Sequence, residues 1–493
     1  MIDTQAIRSK ILDLAMRGQL TEQLPADGSA EELYQRIQKE KEALIAKKKI
    51  KKEKILPSVT KDEELYSIPE TWKWVRLGDL TTKISSGSTP TGGRKSDVYV
   101  LEGYPFFREQ NIYNDGIHRK GMVFITEELL NSRKNSVVIA KDILLNITGG
   151  SIGRCALIPD NFSKGSINQH ILIIRMVEPA LRRYIHRCIC APFAQSYIKD
   201  KAVGDKDGFS GGRCKKMLIP LPPLEEQKRI VEKIHQAFSV LDTIDELQKQ
   251  YAANLSALKS KLIDAAIQGK LTEQLPEDGD VESLYAQVLQ GKEAILKERK
   301  GRKDKNIKEI SFDVPYDIPS RWKWIRLGEI GLFKKGPFGS ALTKSMFVPK
   351  SSETVKVYEQ QHAIKKNPTL GTYYITKEYF ENKLNGFEVK PGDIIISCAG
   401  TIGETYVMPN DIEQGIINQA LMRVTLSAGI NKRFFQYYFD ANLKSSARAG
   451  NGSAIINIPP FDVIKNWYFP LAPIEEQERI VERLDEVLKE IEV

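Results

Sequence analysis

The sequence has few cysteines and no long apolar run. Its 493 residues include five cysteines, and an odd, thinly spread set does not form the disulfide framework of a small secreted protein. No stretch approaches the roughly 20 apolar residues needed to cross a bilayer. The N-terminal stretch MIDTQAIRSK also lacks the apolar core of a signal peptide. These absences argue against an integral membrane protein and predict that the protein is cytoplasmic.

Intact nucleotide-binding and adenine-methyltransferase motifs are also missing. The stretch GSTPTGGRKS (87–96) resembles a phosphate-binding loop. That motif requires Lys directly after its second Gly, and here Gly93 and Arg94 intervene. The stretch NIPPF (457–461) departs from the Asn-Pro-Pro-Phe of adenine methyltransferases because Ile458 breaks it. We interpret it as a turn before a strand.

One cluster has the residue types of a zinc site. It consists of His186, Cys188, Cys190 and, further on, Cys214. On a helix, residues two apart face opposite ways, so one metal ion cannot easily bind the first three. Buried thiols are therefore the expected role of these cysteines, and no metal is predicted.

Charge is distributed unevenly along a chain whose formal net charge is +9. Residues 71–220 carry a net charge of +10 and residues 320–470 a net charge of +7. The segments 1–70, 221–319 and 471–493 carry 0, −3 and −5. Two basic blocks alternating with neutral or acidic connectors favour a polyanionic partner that is contacted at two places. Incidental clustering in a basic protein is the alternative.

The sequence contains a tandem duplication. The stretches that recur at an offset of 250 or 251 residues are 6–49 with 257–300, 69–80 with 319–330, and 220–232 with 470–482. They are identical at 21 of 44, seven of 12 and ten of 13 positions, respectively. A repeat of about 250 residues is far longer than the roughly 20–50 residues of a solenoid unit. The chain is therefore expected to contain two copies of one unit.

Between these stretches the two copies diverge, but a common skeleton remains. Short Ile-, Val- and Leu-rich runs broken by Gly and Pro predict strands and turns. The matching pairs are 141–159 with 391–409 and 166–176 with 416–426. One helix is predicted in each copy, at 182–198 and 431–447. Each basic block is thus predicted to be a compact domain of mixed α/β class.

The connectors are predicted to be helical. No Pro or Gly interrupts residues 224–267, and apolar residues there recur every three or four positions, as in a coiled coil. At 1.5 Å per residue this helix would be roughly 65 Å long. The two chain ends repeat its two halves, so we expect them to lie antiparallel beside it and to close a pseudo-twofold ring. Separate helices packed on their own domains are the alternative.

These features together resemble the DNA-specificity subunit of type I restriction–modification systems. Each basic block opens with a Trp-x-Trp-x-x-Leu-Gly strand and ends with P-L-x-P-[LI]-E-E-Q leading into a helix. The opening residues are Trp72, Trp74, Leu77 and Gly78, and Trp322, Trp324, Leu327 and Gly328. The loops at 86–93 and 334–342 are also similar to loops of that family. The resemblance covers essentially the whole chain.

The resemblance implies a domain plan of five segments. These are an N-terminal helical region (1–68), target recognition domain 1 (69–220), a central helical region (221–318), target recognition domain 2 (319–470) and a C-terminal helix (471–493). Such a subunit is not an enzyme. Each recognition domain reads one half of a bipartite asymmetric double-stranded DNA site, and the helices set the half-site distance. A DNA adenine methyltransferase or nuclease with fused recognition domains is the alternative function, and a helical scaffold unrelated to DNA is a third.

Polar residues that differ between the two copies are the candidates for contacts with bases. Arg reads guanine bidentately, and Asn or Gln reads adenine. The candidates in the first block are Ser86, Thr89, Arg94, Lys95, Arg108, Gln110, Asn111, Lys206 and Arg213. Those in the second block are Lys335, Ser340, Thr343, Lys344, Gln360, Gln361, His362, Arg448, Asn451 and Ser453. Asn168 and Gln169 recur as Asn418 and Gln419, which favours a turn-stabilising role for them.

The resemblance also implies protein partners. The helical spacers are expected to dock methyltransferase (modification) subunits, with restriction (nuclease–translocase) subunits added to them. The expected docking and spacer residues are Glu225, Glu226, Gln227, Ile234, Leu241, Leu258, Glu475, Glu476, Gln477 and Leu484. The chain itself needs no cofactor, and S-adenosylmethionine, ATP and Mg are expected on the partner subunits.

Overall fold

The computed structural model describes most of the chain. Residues 53, 89–97, 203–207, 302–306, 312, 450–457 and 492–493 lie outside the described part, and residues 444–449 are described by their backbone alone. The chain divides into two compact units, Met1–Gln250 and Tyr251–Val493. The boundary falls within one long helix, and each unit contains one of the two basic blocks.

The first unit has helices at both ends and strands between them. Its helices are α1 (Thr4–Met16), α2 (Ala30–Ala46), α3 (Glu127–Ser132), α4 (Arg182–Cys190), α5 (Pro192–Ala202), α6 (Gly211–Lys215) and α7 (Leu224–Ile267), the last of which continues into the second unit. Its strands are β1 (Lys73–Arg76), β2 (Thr81–Ser86), β3 (Tyr104–Phe107), β4 (Ile112–Tyr113), β5 (Gly116–Ile117), β6 (Val123–Ile125), β7 (Val137–Ile139), β8 (Ile143–Asn146), β9 (Cys155–Leu157), β10 (Lys164–Ile167), β11 (Ile171–Met176) and β12 (Leu218–Leu221).

The second unit repeats this arrangement. Its helices are α8 (Val281–Glu298), α9 (Gln360–Ile364), α10 (Lys377–Tyr379), α11 (Lys432–Ala449), α12 (Phe461–Ile464) and α13 (Ile474–Glu490). Its strands are β13 (Lys323–Arg326), β14 (Gly331–Lys335), β15 (Thr354–Tyr358), β16 (Tyr374–Thr376), β17 (Glu388–Val389), β18 (Ile394–Ser397), β19 (Thr405–Val407), β20 (Gly415–Ile417), β21 (Leu421–Leu426) and β22 (Tyr468–Leu471).

The two basic blocks have the same sheet topology. In the first, one sheet has the order β2-β11-β8-β9 and a second sheet the order β6-β3-β10-β7. In the second, the corresponding orders are β14-β21-β18-β19 and β16-β15-β20-β17. Among the described strands of these four sheets, the only parallel neighbours are β3 with β10 and β15 with β20, and these two pairs correspond. The duplication therefore extends through the blocks whose sequences have diverged, and the mixed α/β class with an internal repeat is confirmed.

A short antiparallel pair joins the beginning and the end of each block. β1 pairs with β12, with Trp74 opposite Pro220, and β13 pairs with β22, with Trp324 opposite Pro470. The two recurring motifs that flank each block are therefore neighbours in space. This pairing returns the chain to its starting point, so that the next helix begins beside the opening strand.

The long helix has the bounds that the sequence predicts. α7 runs without a break over 44 residues, directly after Pro222 and Pro223, and Glu225 and Glu226 lie in its first turn, where carboxylates are favoured by the helix dipole. Among the described residues, no helix is long and apolar enough to span a membrane.

α1 packs antiparallel on the first half of α7. Thr4 Oγ1 donates to Asp245 Oδ1 at 2.5 Å, whereas Arg8, one turn later, bonds Asp242 at 2.8 Å. The partner numbers fall as the α1 numbers rise, which defines the direction. Within the second unit, Ile480 and Leu484 of α13 share one buried core with Ile263 of α7. Closure of the two units into a ring remains a prediction.

Two local predictions are corrected. The helix expected at 182–198 is divided into α4 and α5, because Pro192 has no amide hydrogen and disfavours helical geometry at Ala191, whose φ and ψ are −72° and 152°. The described part of the stretch at 457–461, residues 458–461, runs into the short helix α12 (Phe461–Ile464) rather than directly into a strand. Pro460 precedes α12, and its carbonyl accepts hydrogen bonds from the amides of Val463 and Ile464.

Candidate nucleic-acid interface

A polar cleft of about 480 Å³ opens at one end of the first block's antiparallel sheet. Its lining residues are Ser86, Ile147, Thr148, Gln169, Gly208, Phe209, Ser210, Gly211 and Arg213. Two of the predicted DNA contacts, Ser86 and Arg213, are thus brought together although 127 positions separate them in the chain. Ser86 is exposed and Arg213 is half-buried.

Strand register creates this cleft. β11 lies between β2 and β8, with Leu172 opposite both Ser86 and Leu145. The end of β2, the end of β8 and the turn before β11 therefore meet at one edge. The amide of Phe209 donates to Ile147 O at 2.9 Å, which attaches the loop before α6 to the same edge.

Two glycines allow the backbones to approach closely at this edge. A Cβ on Gly87 would lie 2.2 Å from Ile167 O, and one on Gly208 would lie 2.4 Å from Ile147 O. No side chain fits at such distances. The backbone at Gly87, after β2, and at Gly208, before α6, therefore lies directly against the sheet edge.

Asn168 stabilises the turn before β11. Its Oδ1 accepts a hydrogen bond from the amide of His170 at 3.1 Å, and its Nδ2 donates to Glu109 Oε2 at 2.7 Å. Burial raises the pKa of Glu109. The hydrogen bond from Asn168 and several smaller contributions lower it by more, so the pKa is lowered overall. Asn418 makes the same turn contact with the amide of Ala420 at 3.1 Å. The predicted turn-stabilising role is confirmed for Asn168 and Asn418, whereas Gln169 instead lines the cleft.

Sequence reasoning missed the pair formed by Thr148 and His170. Thr148 Oγ1 and His170 Nδ1 are 2.7 Å apart, and His170 Nε2 lies 3.0 Å from Gln169 Nε2. In the second unit, matching backbone hydrogen bonds place Ala399 at the position of Thr148 and Ala420 at the position of His170. The sequence signal that could have identified this pair is that both residues differ from their counterparts in the second copy.

A second group of predicted residues in the first block surrounds the hairpin β4–β5. Arg108 Nη2 and Gln110 Nε2 both donate to the carbonyl of Gly121, the latter at 3.2 Å. Asn111 is fully buried, and its Nδ2 donates to His118 O at 2.9 Å. The prediction that Asn111 contacts bases is therefore wrong, because its amide is used to cross-link this turn.

In the second block, the equivalent edge begins at Lys335, the exposed last residue of β14. The next residue, Gly336, packs directly on the turn at Asn418. Gln360 Nε2 donates to Ala399 O, next to that turn. The loop that follows carries Ser340, Thr343 and Lys344, all exposed or half-exposed. Lys335, Gln360 and this loop form the counterpart of the first cleft.

His362 belongs to the interior rather than to this surface. It is fully buried; its Nδ1 accepts from the amide of Glu359 at 2.8 Å, and its Nε2 lies 2.6 Å from Leu370 O. Burial lowers the pKa of His362. The prediction that His362 contacts bases is wrong for the same reason as for Asn111. Its neighbour Gln361 donates to Glu359 Oε2 at 2.9 Å.

Seven predicted residues have no described side chain. Arg448 lies in the last part of α11, residues 444–449, where only the backbone is described. The others lie outside the described residues, and they are Thr89, Arg94, Lys95, Lys206, Asn451 and Ser453.

The residues expected on the docking helices divide into two groups. Glu225, Leu258 and Glu475 are exposed. The others are buried within their own units, and they are Glu226, Gln227, Ile234, Leu241, Glu476, Gln477 and Leu484. The prediction that the buried polar members dock a partner is corrected, because Glu226 and Glu476 bind the indoles of Trp72 and Trp322.

The four residues whose types are those of a zinc site are not arranged as metal ligands. Cys188 Sγ donates to Met16 Sδ at 3.2 Å, whereas Cys190 Sγ lies 3.8 Å from His186 Nε2. Across the described ranges, no group of three or more His, Cys, Asp and Glu side chains has a metal-binding arrangement. Burial raises the pKa of Cys214 to about 12, as befits a thiol in the core.

Comparison with known proteins decides the family. The model of the type I restriction modification DNA specificity domain matches the chain twice, at residues 69–253 and 319–493. The chain belongs to this family. Both matches begin just before the opening strand of a basic block and extend into or through the helix that follows the block.

Curated members of the family align over almost the whole chain. The specificity subunit of the type I restriction enzyme EcoAI from Escherichia coli is 24% identical, with 98% of this chain and 88% of the relative covered. The EcoEI specificity subunit from the same species is 22% identical over 98% and 89%. A chain in a solved structure of a type I restriction–modification system shares the fold, with a TM-score of 0.55, 18% identity and coverage of 86% and 92%.

Proposed function

We propose that this specificity-family chain is the non-catalytic DNA-reading subunit of a type I restriction–modification complex. The observation that carries the proposal is the pair of basic blocks with one topology and different edge residues. A duplicated scaffold with diverged readers suits a DNA site with two unlike halves. The net charges of +10 and +7 on the two blocks supply the attraction to phosphates.

Each recognition domain reads one half-site at the sheet edge described above. In the first, Ser86, Gln169 and Arg213 line the cleft with Thr148, and arginine in such a position can bond guanine bidentately. In the second, Lys335 and Gln360 take the equivalent edge beside Ala399. Because hydroxyl and imidazole groups at one edge are replaced by methyl groups at the other, the half-sites differ in sequence.

The helices hold the readers and bind the catalytic partners. A 44-residue helix spans about 66 Å at 1.5 Å per residue, which is long enough to set the distance between half-sites. The exposed Glu225, Leu258 and Glu475 are the remaining candidates for docking modification subunits. Those subunits carry S-adenosylmethionine, and the restriction subunits carry ATP and Mg, so catalysis resides outside this chain.

The rival function is a methyltransferase or nuclease with its own recognition domains. Methyl transfer from S-adenosylmethionine by the purified chain alone, on DNA of mixed sequence, distinguishes the two. We expect no transfer by the chain alone, and methylation of one bipartite site when the modification subunits are added. Turnover by the chain alone would overturn the proposal.

A further inference from the structure

Phe338 is a large apolar side chain held out in solvent. It lies in the loop after β14 and is 88% exposed, although a phenylalanine is usually among the more buried residues. Glycines flank the short segment that carries it, at Gly336 and Gly339. A Cβ on Gly339 would meet nothing within 4 Å, so the ring projects from an open part of the surface.

The loop that presents this ring is anchored on both sides. Before it, the amide of Gly336 donates to Leu421 O at 2.9 Å, and Pro337 is buried. After it, Tyr379 donates its hydroxyl to Ala341 O at 2.9 Å, and Leu342 is 4% exposed in a core cluster. The exposure of Phe338 is therefore a consequence of a fixed backbone.

The segment of sequence that carries the ring is basic. Residues 334–350 contain four lysines and no acidic residue. Lys334 lies over the ring of Phe387, and Lys350 pairs with Glu413 at 2.7 Å. Lys335 and Lys344 are exposed on either side of Phe338 in sequence. An aromatic ring between two exposed lysines suits a partner that has both phosphates and stacked bases.

We infer that Phe338 acts as an apolar wedge that inserts between neighbouring base pairs of the half-site read by the second unit. The inference rests on the proposed DNA-reading function. Insertion of an apolar side chain unstacks a base step and kinks the duplex. Lys335 and Lys344 hold the phosphates on either side of the step, and the anchored backbone fixes where the ring enters. Pyrimidine–purine steps are the most easily opened, so the wedge favours such a step within that half-site.

A protein partner seated on Phe338 is the alternative. Exposed aromatic side chains also anchor protein interfaces, where the fully buried centre is depleted of charged residues. The two lysines favour DNA. A protein interface centred on Phe338 would either remove two like charges from water or leave both at its rim. The two cases give different results in one experiment.

The test uses the full chain assembled with its modification subunits and a duplex that contains the site found by methylation mapping. 2-Aminopurine is placed at successive positions of both half-sites other than the methylated adenines, because its fluorescence rises when it is unstacked and a methyltransferase itself flips its target base. The variants are Phe338→Ala and Phe338→Trp. Ile55→Ala is the control, since Ile55 is an equally apolar side chain in the first unit and is 87% exposed.

We expect fluorescence to rise at one step of one half-site with the wild-type complex and with Phe338→Trp. Phe338→Ala should abolish the rise and weaken binding of the cognate duplex about tenfold or more, whereas Ile55→Ala should change neither. Wild-type binding with no unstacked step overturns the wedge alone. Loss of the modification subunits from Phe338→Ala, with fluorescence retained, assigns the ring to a protein interface and also overturns it. A wild-type complex that does not distinguish the site from scrambled DNA overturns the proposed function.

Discussion

The indole Nε1 of Trp72 donates a hydrogen bond of 2.8 Å to Glu226 Oε2, a residue 154 positions further along the chain. Trp322 donates the same bond to Glu476 at 2.7 Å, again across 154 positions. Both glutamates are fully buried. One contact in each unit therefore joins the opening strand of the basic block to the helix that follows the block.

The other oxygen of each glutamate binds the helical segment before the block. Gln23 Nε2 donates to Glu226 Oε1 at 2.9 Å, and Gln274 Nε2 donates to Glu476 Oε1 at the same distance. Three stretches that are far apart in sequence thus meet at one carboxylate. This network explains why the three stretches recur together in both copies. Changing one partner would leave a buried charge with fewer hydrogen bonds.

Trp72→Phe should destabilise the first unit. The substitution keeps an aromatic ring but removes the donor to a buried carboxylate, and we expect the free energy of unfolding to fall by about 1–3 kcal/mol. Chemical denaturation of the purified chain measures it. Trp74→Phe is the matched control, because Trp74 donates to a part-buried backbone carbonyl at 3.3 Å and should cost less. Equal losses for the two variants would contradict the network.

Acid should weaken two further twin contacts. Arg229 holds the pKa of Asp27 below its usual value, and Arg479 does the same for Asp278. A carboxyl with a lowered folded pKa stabilises the fold above the unfolded pKa, and this contribution disappears as the pH falls through the folded pKa, below about pH 4. Asp27→Asn should therefore be less stable than wild type at neutral pH and should approach it in acid.

Unfolding measured across that pH range tests this prediction. The control is Asp317→Asn, which removes an exposed carboxylate of the second unit. A deficit of Asp27→Asn that stays constant into acid would show that the ion pair is not its cause.

Replacing the Thr148–His170 pair should alter one half-site only. The double variant Thr148→Ala and His170→Ala introduces the residues of the second unit at equivalent positions, and we expect about a tenfold loss of discrimination at a base pair of the first half-site. Sequencing of methylated positions measures it. Ala420→His in the second unit is the reciprocal control and should leave the first half-site unchanged. Altered reading in both half-sites by the double variant would refute independent readers.

Shortening α7 should change spacing and leave reading intact. Removal of one heptad after Gln248, beyond the contacts of α1 with Asp242 and Asp245, shortens the helix by about 10 Å and preserves its apolar face. The permitted distance between half-sites should change, and each half-site sequence should stay the same. New half-site sequences in methylation maps would be incompatible with a spacer role.

The sequence was most informative where a feature is local. The bounds of α7 follow from a stretch free of Pro and Gly after a Pro pair, and the structure confirms them. The break at Pro192 is equally local, but the apolar spacing continues across it and predicts a single helix. Strands in the diverged blocks could be predicted in kind, whereas their parallel and antiparallel order depends on pairing between distant segments.

Burial of single polar residues could not be predicted in this way. Glu225 and Glu226 are adjacent, yet one is exposed and the other has no exposed surface. Asn111 and His362 have the composition of a recognition loop, but each instead bonds a backbone carbonyl nearby, His118 O and Leu370 O. A polar side chain in a loop has the same sequence signature in either role, and only the tertiary contacts separate the two.

Methylation mapping tests the central claim most directly. DNA is taken from cells that express this chain with its modification subunit and from cells in which this gene alone is deleted. The predicted result is a two-part asymmetric motif that is methylated in the first and unmethylated in the second. A methylation pattern that is unchanged by the deletion would contradict a DNA-specificity role for the chain.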